Sequence, residues 1–459
     1  MKLPRLVPLL AATALAGCAL GPRPPAPVAP TPTAWNGQAD STAWPSADWW
    51  HAFGSPELDR LIADAEANND DIAAATARVH EADAQARIAG AALLPTLSAA
   101  PVVGDTRKLS PTGAVRRYGT LNGVFSASYE IDLWGKNHDA HLAADETTLA
   151  ATDQVAVTRL TIVTGVATTY VNLLATQDRI VDARNAADAA QKILDGLVIQ
   201  QQHGLVTGLQ VAQQRTVAEQ LAAAIPPLEA QRTHLLDALA LLTGRSPEGF
   251  SVAGGSLADL HLPAVAAGLP SGLLVHRPDV QAAERQLAAA NADISVARKS
   301  FLPSFGLTGD GGVGSVALSS ALAGPASIFD IGLNVLQPIF DGGKLKGQLQ
   351  QANGRYEELA AVYLKAIHQA YGDVEDALAT EQGARLETTQ QDQAAASAEQ
   401  ALAMARTAYA AGTTDTLTLL AAQQALASAQ SHQTQADLDQ AEGIIDLYKA
   451  LGGGWSLPS

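Results

Sequence analysis

The chain has 459 residues and a formal net charge of −17, and only 16% of its residues are charged and 5% aromatic. This acidic excess excludes an ordinary nucleic-acid-binding protein, which needs cationic side chains to displace counterions from phosphate groups. A single cysteine excludes a disulfide within the chain, and the abundant alanine favours long, closely packed helices over a compact enzyme.

The N-terminus has the pattern of an export signal. Two basic residues precede the apolar stretch 6–14, which is followed by Leu-Ala-Gly-Cys ending at Cys18. We predict that residues 1–17 are a signal peptide and that the thiol of Cys18 carries a thioether-linked lipid. The alternative is an ordinary secretory signal with an incidental thiol. The proline-rich residues 18–47 are predicted to form a lipidated, extended arm rather than part of a core.

An internal duplication organises the rest of the chain. Short motifs recur at a constant offset of 208 residues: Leu94-Pro95-Thr96-Leu97 with Leu302-Pro303-Ser304-Phe305, Gly135-Lys136 with Gly343-Lys344, Gly204 with Gly412, and Gly244 with Gly452. This pattern predicts two copies of one unit, over 48–244 and 273–455. A connector at 245–272 joins them, and a short tail at 456–459 follows the second copy.

Each copy begins with a helical segment, 56–92 or 278–300, and continues into a stretch that alternates between apolar and polar residues. The alternation covers residues 120–133 in the first copy. In the second copy its apolar members are Phe329, Ile331, Leu333 and Val335. A period of two is typical of strands with one apolar and one polar face. We predict two strands per copy, within 94–134 and 302–342, and therefore four in the chain.

Three motifs could indicate a phosphate-binding, dinucleotide-binding or metal site, but none has the full set of residues that such a site requires. Gly342-Gly343-Lys344 lacks the spacing of a phosphate-binding loop and stands where a strand must turn into a helix. Gly311-Gly312-Val313-Gly314 lacks the last glycine of a dinucleotide-binding motif, and we predict that it lies in the loop of the second strand pair. His138, His141 and Asp145 share one helix face, but a solvated helix start is the preferred interpretation. The sequence therefore predicts no enzyme, no metal site and no cofactor.

Very long helices follow the strands. The stretches 137–202 and 345–410 contain no proline, and about 65 residues at 1.5 Å each make a rod of roughly 100 Å. Each rod is predicted to form a hairpin with a return helix, over about 137–243 and 345–451. Pro226-Pro227 should kink the first return helix, because proline removes a backbone donor and clashes with the preceding turn.

Four strands cannot form a closed sheet by themselves. Beyond the signal, the chain has no uninterrupted apolar run of about 18 residues for a spanning helix. Strands in lipid need a closed barrel, and spanning barrels have at least about eight strands. If these strands cross a membrane, at least two chains share one barrel, and three chains would supply twelve strands. The alternative is a soluble coiled-coil protein with a small β-region.

Three motifs resemble those of a known family, the TolC-like outer membrane factors of the NodT/OprM type, which are outer-membrane efflux lipoproteins. The motifs are Asp48-Trp49-Trp50-His51-Ala52-Phe53, Arg277-Pro278-Asp279-Val280 and Ala450-Leu451-Gly452-Gly453-Gly454-Trp455. The resemblance runs from Cys18 to Trp455. It implies an α+β, mostly α fold, with helical hairpins that form an α-barrel and four strands that contribute to a trimeric, twelve-strand transmembrane β-barrel.

The resemblance also implies a location and partners. The protein would be anchored by lipid in the outer membrane and extend into the periplasm, as a homotrimer that is a passive exit duct for drugs or other small molecules. Its partners would be outer-membrane lipid, a periplasmic adaptor (membrane fusion protein) and an inner-membrane pump of the resistance–nodulation–division type, with no nucleic acid. Two alternatives stay open: a duct for type I protein secretion, and a periplasmic adaptor or scaffold.

The hairpin tips are where such proteins form their closed aperture and contact the adaptor. The corresponding candidates are Gly204, Leu205, Val206, Thr207, Tyr409, Gly412, Thr413, Thr414 and Asp415. The chain departs from the pattern of its relatives here, with Ala408 where arginine is common and Ala421-Ala422 where an acidic residue is common. Tyr409 and Asp415 are therefore the polar candidates for a gate.

Overall fold

A computed structural model of the chain describes residues 27, 31–36, 44–109, 111, 113–315 and 326–456. The predicted signal peptide and Cys18 lie outside these described residues. Among the described residues, no helix combines the length and the apolar character that a membrane crossing requires.

Helices and strands follow one another in the order that the duplication predicts. The first copy contains α1 (Pro56–Asn68), α2 (Asp70–Ala91), β1 (Thr96–Leu109), β2 (Val115–Ile131), α3 (Lys136–Gln202), α4 (Gly208–Ala223) and α5 (Ile225–Leu242). The second contains α6 (Pro270–His276), α7 (Pro278–Lys299), β3 (Ser304–Ser315), β4 (Ala326–Leu336), α8 (Lys344–Ala410) and α9 (Thr416–Ala450). Short 3-10 helices cover Trp49–Phe53 and Leu257–Asp259.

The described residues divide into two compact units. The strand unit comprises those within Met1–Val28, Ala77–Thr152 and Ala282–Lys365, and contains the sheet. The hairpin unit comprises those within Ala29–Thr76, Asp153–Gln281 and Ala366–Ser459. Each unit takes segments from both copies of the duplication.

The strand unit is built on one antiparallel sheet with the order β1-β2-β3-β4. Thr96 pairs with Ser128 in the first hairpin and Ser304 with Leu336 in the second, so the register of the second hairpin is that of the first shifted by the repeat offset. The pairing of β2 with β3 joins the two copies, as Ile131 with Phe305. The alternating patterns therefore produce the predicted four strands in one continuous sheet.

The glycine-rich motif at 311–314 corrects one prediction. These residues do not lie in a loop but form the second half of β3, where Gly312 pairs with Val124 of β2. A Cβ atom on Gly312 would lie 2.1 Å from the carbonyl oxygen of Gly123, which is far inside any allowed contact. Glycine is therefore needed here because two backbones approach each other closely. The glycine-rich composition of this segment had suggested a loop.

Glycine and aspartate shape the turns from strand to helix. Gly135 and Gly343 have φ values of 71° and 91°, in the left-handed region that favours glycine. Next to the second turn, the carboxylate of Asp341 accepts hydrogen bonds from the backbone N–H of Gly343 at 2.9 Å and of Leu345 at 2.7 Å. These bonds satisfy donors that the start of a helix leaves unpaired. The turn requirement predicted from the sequence is confirmed at both positions.

The hairpin unit contains the two return helices. The first return is divided into α4 and α5 at Ala224, and Pro226 and Pro227 lie in the first turn of α5, where a missing N–H costs no helical bond. The second return, α9, is continuous over 35 residues. The interruption lies where the proline pair predicted a kink, and the two copies differ at this point.

A large hydrophobic core lies in the hairpin unit. The apolar residues at helical spacing that pack in it include Val163, Ala167, Tyr170, Leu174, Leu438, Ala441, Ile445 and Tyr448. The 3-10 helix at 49–53 adds its aromatic residues, and Trp49 stacks on Tyr448 with ring centres 4.7 Å apart. Val252 and Leu257 of the connector are also buried in this core.

The N-terminal arm is more than an extended tether. Trp35 is buried, and its Nε1 donates a 2.9 Å hydrogen bond to the carbonyl oxygen of Gly268. Trp44 stacks on His276 with ring centres 4.4 Å apart. Large aromatic side chains bury much apolar area and bring a polar handle with them. The described part of the arm therefore packs against the connector and α6, which its proline content did not predict.

Candidate functional site

The sheet of the strand unit has one apolar and one polar face. Residues that pair directly in an antiparallel ladder point to the same side, and one row of pairs runs from Leu97 through Ala127 and Gly309 to Ile331. The apolar face, so defined, carries Leu97, Val103, Phe125, Tyr129, Ile131, Phe305, Leu307, Val313, Phe329, Ile331, Leu333 and Val335. The period of two therefore extends across β2, β3 and β4, whereas on β1 the same face also carries Asp105 and Arg107, near the end that leads to β2.

The apolar face is largely uncovered in the single chain. Phe329 is 77% exposed, and Ile331 and Leu333 are 64% and 65% exposed. Burying apolar surface is worth about 25 cal/mol per Å², and soluble proteins rarely leave a contiguous apolar patch of this kind open to water. The natural environment of this face is therefore apolar.

The opposite, polar face carries hydroxyl, amide and carboxylate groups. Its members include Thr96, Ser98, Ser126, Ser128, Glu130, Ser304, Thr308, Asp310, Asp330 and Asn334. Thr96 Oγ1 lies 2.8 Å from Ser128 Oγ, and Glu130 forms a 2.7 Å ion pair with Nζ of Lys136. Asp310 pairs directly with Asp330 across the ladder, and such opposed carboxylates are costly without water or counterions around them. This face is suited to contact with water.

Both edges of the described sheet are open. In the strand order β1-β2-β3-β4, the outer strands β1 and β4 each have a neighbour on one side only. An open edge presents unpaired backbone N–H and C=O groups, which are costly in an apolar environment. A sheet with one lipid-like face and two open edges is therefore incomplete as a single chain.

The two hairpin tips repeat one backbone motif. In the first tip, the N–H of Gly204 bonds to the carbonyl of Gln201 and that of Leu205 to Gln200, both at 2.9 Å. In the second, Gly412 bonds to Tyr409 at 3.0 Å and Thr413 to Ala408 at 2.9 Å. Both glycines have positive φ, at 72° and 68°. This is the helix-ending motif in which a left-handed glycine lets the chain turn and satisfies the last carbonyl groups.

Side chains then start the return helices. The hydroxyl of Thr207 accepts from the N–H of Gln210, and the side chain of Gln210 accepts from the N–H of Thr207 at 2.8 Å, a complete capping box. In the second tip, the carboxylate of Asp415 accepts from the N–H and the hydroxyl of Thr418 at 2.9 and 2.7 Å. Those two bonds lower the pKa of Asp415. Asp415 therefore caps α9, a local role that its position as a gate candidate did not foresee.

The structure brings the tips into contact with each other. Gln210 Nε2 donates to Oγ1 of Thr416 at 3.2 Å, and Tyr409 Oη donates to Oε1 of Gln200 at 3.4 Å. Tyr409 packs against two apolar clusters, one with Val206 and Leu197 and the other with Leu402 and Leu419. Of the predicted tip residues, Val206 and Tyr409 thus lie at the contact between the two hairpins. Gly204, Leu205, Thr207, Gly412, Thr413 and Asp415 are exposed, and Thr414 is half-buried.

Arg277 anchors a polar network that sequence motifs alone did not explain. Its guanidinium forms ion pairs of 2.7 Å with Asp279 and 2.8 Å with Asp373, and donates to the carbonyl oxygen of Ala450 at 3.1 Å. Burial alone would lower the pKa of Arg277, but the hydrogen bonds and charges of the two carboxylates raise it above its usual value. The network connects α6, α7, α8 and the end of α9, so the residues of the second motif have a structural role.

A group of carboxylates lies elsewhere in the hairpin unit. Burial, followed by the charges of Asp392 and Asp178, raises the pKa of Asp437 from 3.8 to about 6. Burial also raises the pKa of Asp178, whose carboxylate accepts from the N–H of Leu257 at 2.8 Å. These aspartates come from different helices, so no local pattern in the sequence could have grouped them.

The chemical motifs considered in the sequence have local explanations. His141 Nδ1 lies 3.5 Å from Asp145 Oδ1, as expected for residues four apart on a helix. Within the part of the chain that the structure describes, no cluster of histidine, cysteine and acidic residues has the composition of a metal site. The Gly342-Gly343-Lys344 motif forms the turn into α8.

Comparison with known proteins gives one consistent result. The family model described as outer membrane efflux protein matches residues 61–245 and 269–453, one match for each copy of the duplication. The chain is 36% identical to the pyoverdine export outer membrane protein OpmQ of Pseudomonas putida, over 100% of this chain and 99% of that protein. It is 32% identical to the toluene efflux pump outer membrane protein TtgF of the same species, over 96% and 95% of the two chains.

The fold is likewise similar to solved structures. The crystal structure of the Campylobacter jejuni CmeC outer membrane channel superposes with a TM-score of 0.87 at 25% identity, and the match covers 96% of each chain. The mostly helical fold with a small four-strand sheet and two repeats is thus shared with a channel.

Proposed function

We propose a function for this chain from the premise that it belongs to the outer membrane efflux protein family, whose model matches both of its repeats. It is an outer-membrane channel component of an efflux system, and it is not an enzyme. The prediction of this class from the sequence is confirmed by these relatives. The chain therefore provides a path for a transported molecule and does not convert a substrate.

We infer that three copies assemble into one channel. Four strands with two open edges support this proposal, because three copies would bring twelve strands together and leave no edge unpaired. The apolar face would then contact lipid, and the polar face with Glu130, Asp310 and Asp330 would line the water-filled interior. One arrangement of the three copies would thus explain why one face of the sheet is apolar and the other polar.

We further propose that the hairpin tips close the channel and contact a periplasmic adaptor of the membrane fusion type, which links it to an inner-membrane pump of the resistance–nodulation–division type. The contacts of Gln210 with Thr416 and of Tyr409 with Gln200 support a closed arrangement, because they tie one hairpin to the other. The exposed residues Leu205, Thr413 and Asp415 are available for an adaptor.

The proposed cargo is small organic molecules of unrelated structure. This proposal is supported by the different cargoes in the names of two relatives, one for pyoverdine export and one for toluene efflux. The polar face of the sheet carries hydroxyl and carboxylate groups along several strands, among them Ser98, Thr308 and Asp310. A passive duct with such a lining passes what the pump delivers, and the energy is supplied elsewhere.

We also propose that Cys18 carries a lipid after removal of residues 1–17. The supporting observation is the Leu-Ala-Gly-Cys sequence that follows the apolar stretch. Cells fed with labelled palmitate should label the natural chain and not the Cys18→Ala variant. Equal labelling of both would exclude this anchor.

A deletion experiment tests the efflux role directly. Removing the gene should increase susceptibility to several chemically unrelated compounds, and expressing the chain again should restore resistance. Unchanged susceptibility, with a secreted protein retained in the cell instead, would contradict the proposal and favour type I protein secretion.

A further inference from the structure

A cavity of about 560 Å³ lies in the hairpin unit, at the level where the first return helix is interrupted. Its walls come from α3, from the end of α4 and the start of α5, and from α9. Pockets for small ligands have volumes of about 300–1,000 Å³, so this cavity has room for a small organic molecule. Ala224, Pro227 and His432 line it and are exposed, so it opens to solvent in the chain.

The interruption of the return helix shapes one wall of the cavity. Proline has no N–H group, so Pro226 and Pro227 cannot bond to the carbonyl groups four residues before them. The helix therefore ends at Ala223 and starts again at Ile225. In the second copy, α9 passes through the matching positions 434 and 435 without a break. The cavity thus lies where the two copies differ.

The walls of the cavity differ in polarity. The first return helix contributes the apolar residues Leu221, Ala224, Pro227 and Leu228. The facing stretch of α9 contributes the polar residues Gln430, Ser431, His432 and Gln435. An apolar wall opposite a polar one favours an amphipathic molecule, because its apolar body leaves water while its polar group still finds partners.

The carboxylate of Asp182, on α3, lines this cavity without a partner. The residue is half-buried, and no described residue donates a hydrogen bond to its carboxylate or forms an ion pair with it. Burial, followed by the charge of Asp178, raises the pKa of Asp182. A carboxylate that has lost part of its water and has no counterion is costly, and a cation beside it would remove that cost.

The charges around the cavity favour a cation over an anion. Arg179 also lines the cavity, but its guanidinium donates a hydrogen bond to the side-chain oxygen of Gln435. The charge of Asp178 acts on both Asp182 and Asp437, so these three carboxylates lie near one another. Three carboxylates therefore accompany one guanidinium group, and the local balance of charge is negative.

We propose that this cavity binds a small organic cation with an apolar body, whose charged group pairs with the carboxylate of Asp182. The apolar body lies against Leu221 and Leu228, and the polar wall of α9 receives polar substituents. The inference adds a binding site to the proposed duct. It does not depend on the number of chains in the channel, because all the residues that line the cavity belong to one chain.

The second copy of the duplication provides an internal comparison. The repeat offset relates Asp182 to Gln390, and the proline pair to Thr434 and Gln435. The carboxylate and the helix interruption are therefore both confined to the first copy. The duplicated fold does not require either feature, since the second copy forms its hairpin without them. Their occurrence together at one cavity is what a binding site for a cation needs.

Three aromatic probes test the preference for a cation. Benzyltrimethylammonium carries a permanent positive charge, benzyl alcohol is neutral and benzenesulfonate is an anion. Isothermal titration calorimetry on the full chain, purified in an uncharged detergent, should show one benzyltrimethylammonium bound per chain, more tightly than either of the other two. Tighter binding of benzenesulfonate would assign the cavity to Arg179 and overturn the proposal, as would the absence of binding by the cation.

Removing the charge of Asp182 tests the proposed ion pair. Asp182→Asn keeps the shape of the side chain, and should weaken the binding of benzyltrimethylammonium about 10-fold or more while leaving that of benzyl alcohol unchanged. Asp188→Asn is the matched control, because Asp188 is an exposed residue of α3 outside the cavity lining. It should bind the cation as the natural protein does. Equal affinity of Asp182→Asn and the natural protein for the cation would overturn the proposal.

Filling the cavity distinguishes it from an ion pair elsewhere on the surface. Ala186→Leu adds bulk at a lining position and keeps Asp182, so it should weaken the binding of both the cation and benzyl alcohol. Ala223→Leu adds the same side chain at an exposed position of α4 outside the lining, and should change neither. Loss of cation binding in Asp182→Asn, with full binding in a folded Ala186→Leu, would exclude the cavity as the site.

Thermal unfolding shows whether each variant is folded. Asp182→Asn removes a charge that has no partner, so its unfolding temperature should not fall below that of the natural protein. If the larger side chain of Ala186→Leu unfolds the chain, the comparison of Asp182→Asn with Asp188→Asn decides the proposal by itself.

Discussion

Gln210 and Thr416 connect the two hairpin tips: the side-chain Nε2 of Gln210 lies 3.2 Å from the hydroxyl oxygen of Thr416, which is almost completely buried. The same glutamine completes the capping box of α4 with Thr207. One side chain therefore fixes the start of the first return helix and ties it to the start of the second. A movement that separates the hairpins must break this bond.

Replacing Thr416 by valine should favour an open tip. The substitution keeps the shape of the side chain and removes one hydrogen bond, which is worth about 0.5–1.5 kcal/mol. A change of this size shifts a two-state equilibrium by roughly 2–10-fold. We expect a comparable rise in the open fraction of single channels in planar bilayers.

Thr216→Val is the matched control for that experiment. Thr216 is exposed and its hydroxyl bonds within its own helix, to the carbonyl oxygen of Ala212 at 3.0 Å. The same chemical change there should leave the open fraction unaltered. Equal effects of the two variants would show that the contact of Thr416 with Gln210 does not hold the tips closed.

Removing Arg277 should destabilise the hairpin unit strongly. Its side chain is 10% exposed and compensates the carboxylates of Asp279 and Asp373. Deleting one partner of a fully buried ion pair costs about 3–5 kcal/mol, because the remaining charge is left without compensation. The side chains of Asp279 and Asp373 are 36% and 33% exposed, so the loss of Arg277 should cost less than that but more than the loss of an exposed pair. Arg277→Ala should therefore lower the thermal unfolding temperature of the purified protein markedly. The unfolding temperature of Arg277→Lys should lie between those of Arg277→Ala and the natural protein, since lysine keeps the charge but cannot form the bidentate contacts of a guanidinium group.

Arg184→Ala provides the comparison. Arg184 pairs with Glu229 at 2.6 Å, but both side chains are at least half exposed. Exposed ion pairs contribute about 0–1 kcal/mol, so this variant should melt close to the natural protein. An Arg277→Ala variant that melts no lower than Arg184→Ala would exclude a structural role for the network.

Asp437 should make stability depend on pH in a defined window. Its pKa is about 6 in the folded chain, against an ordinary value of 3.8. A raised carboxyl pKa favours the folded state below pH 3.8, and that contribution is lost progressively as the pH rises to about 6. Asp437→Asn should therefore raise the unfolding temperature at pH 7.5 and have little effect near pH 4. A benefit that is larger near pH 4 than at pH 7.5 would contradict the assignment.

Adjacent positions of β4 should respond oppositely to a new charge. Leu333 lies on the apolar face and Asn334 on the polar face. A lysine at the centre of a lipid-facing strand costs about 2–4 kcal/mol, whereas one that faces water costs little. Leu333→Lys should reduce the amount of protein recovered in the outer membrane, and Asn334→Lys should not. Equal recovery of both variants would mean that lipid does not contact the apolar face.

Local patterns predicted much of this architecture. The long helices α3 and α8 begin and end within one residue of the predicted stretches 137–202 and 345–410, because no proline interrupts them and a left-handed glycine follows each. The period of two at 120–133 predicted the two faces of the sheet, because successive side chains of a strand point to opposite sides.

Other features depend on contacts that no local pattern contains. Gly312 is in a strand because Gly123 approaches it closely, although its neighbours resemble a loop. Asn69 ends α1 because its side chain caps the start of α2, through a 2.9 Å bond from the N–H of Asp71. The bond of Gln210 with Thr416 joins residues 206 positions apart. Such long-range contacts determine how the two hairpin tips pack against each other, and the sequence did not predict them.

The mass of the complex extracted from the outer membrane tests the central claim most directly, namely that one chain supplies only part of a closed sheet. Native mass spectrometry of the natural protein in detergent should give three copies of the processed, lipidated chain. A water-soluble protein with the mass of one chain, and with no association in detergent, would contradict the account.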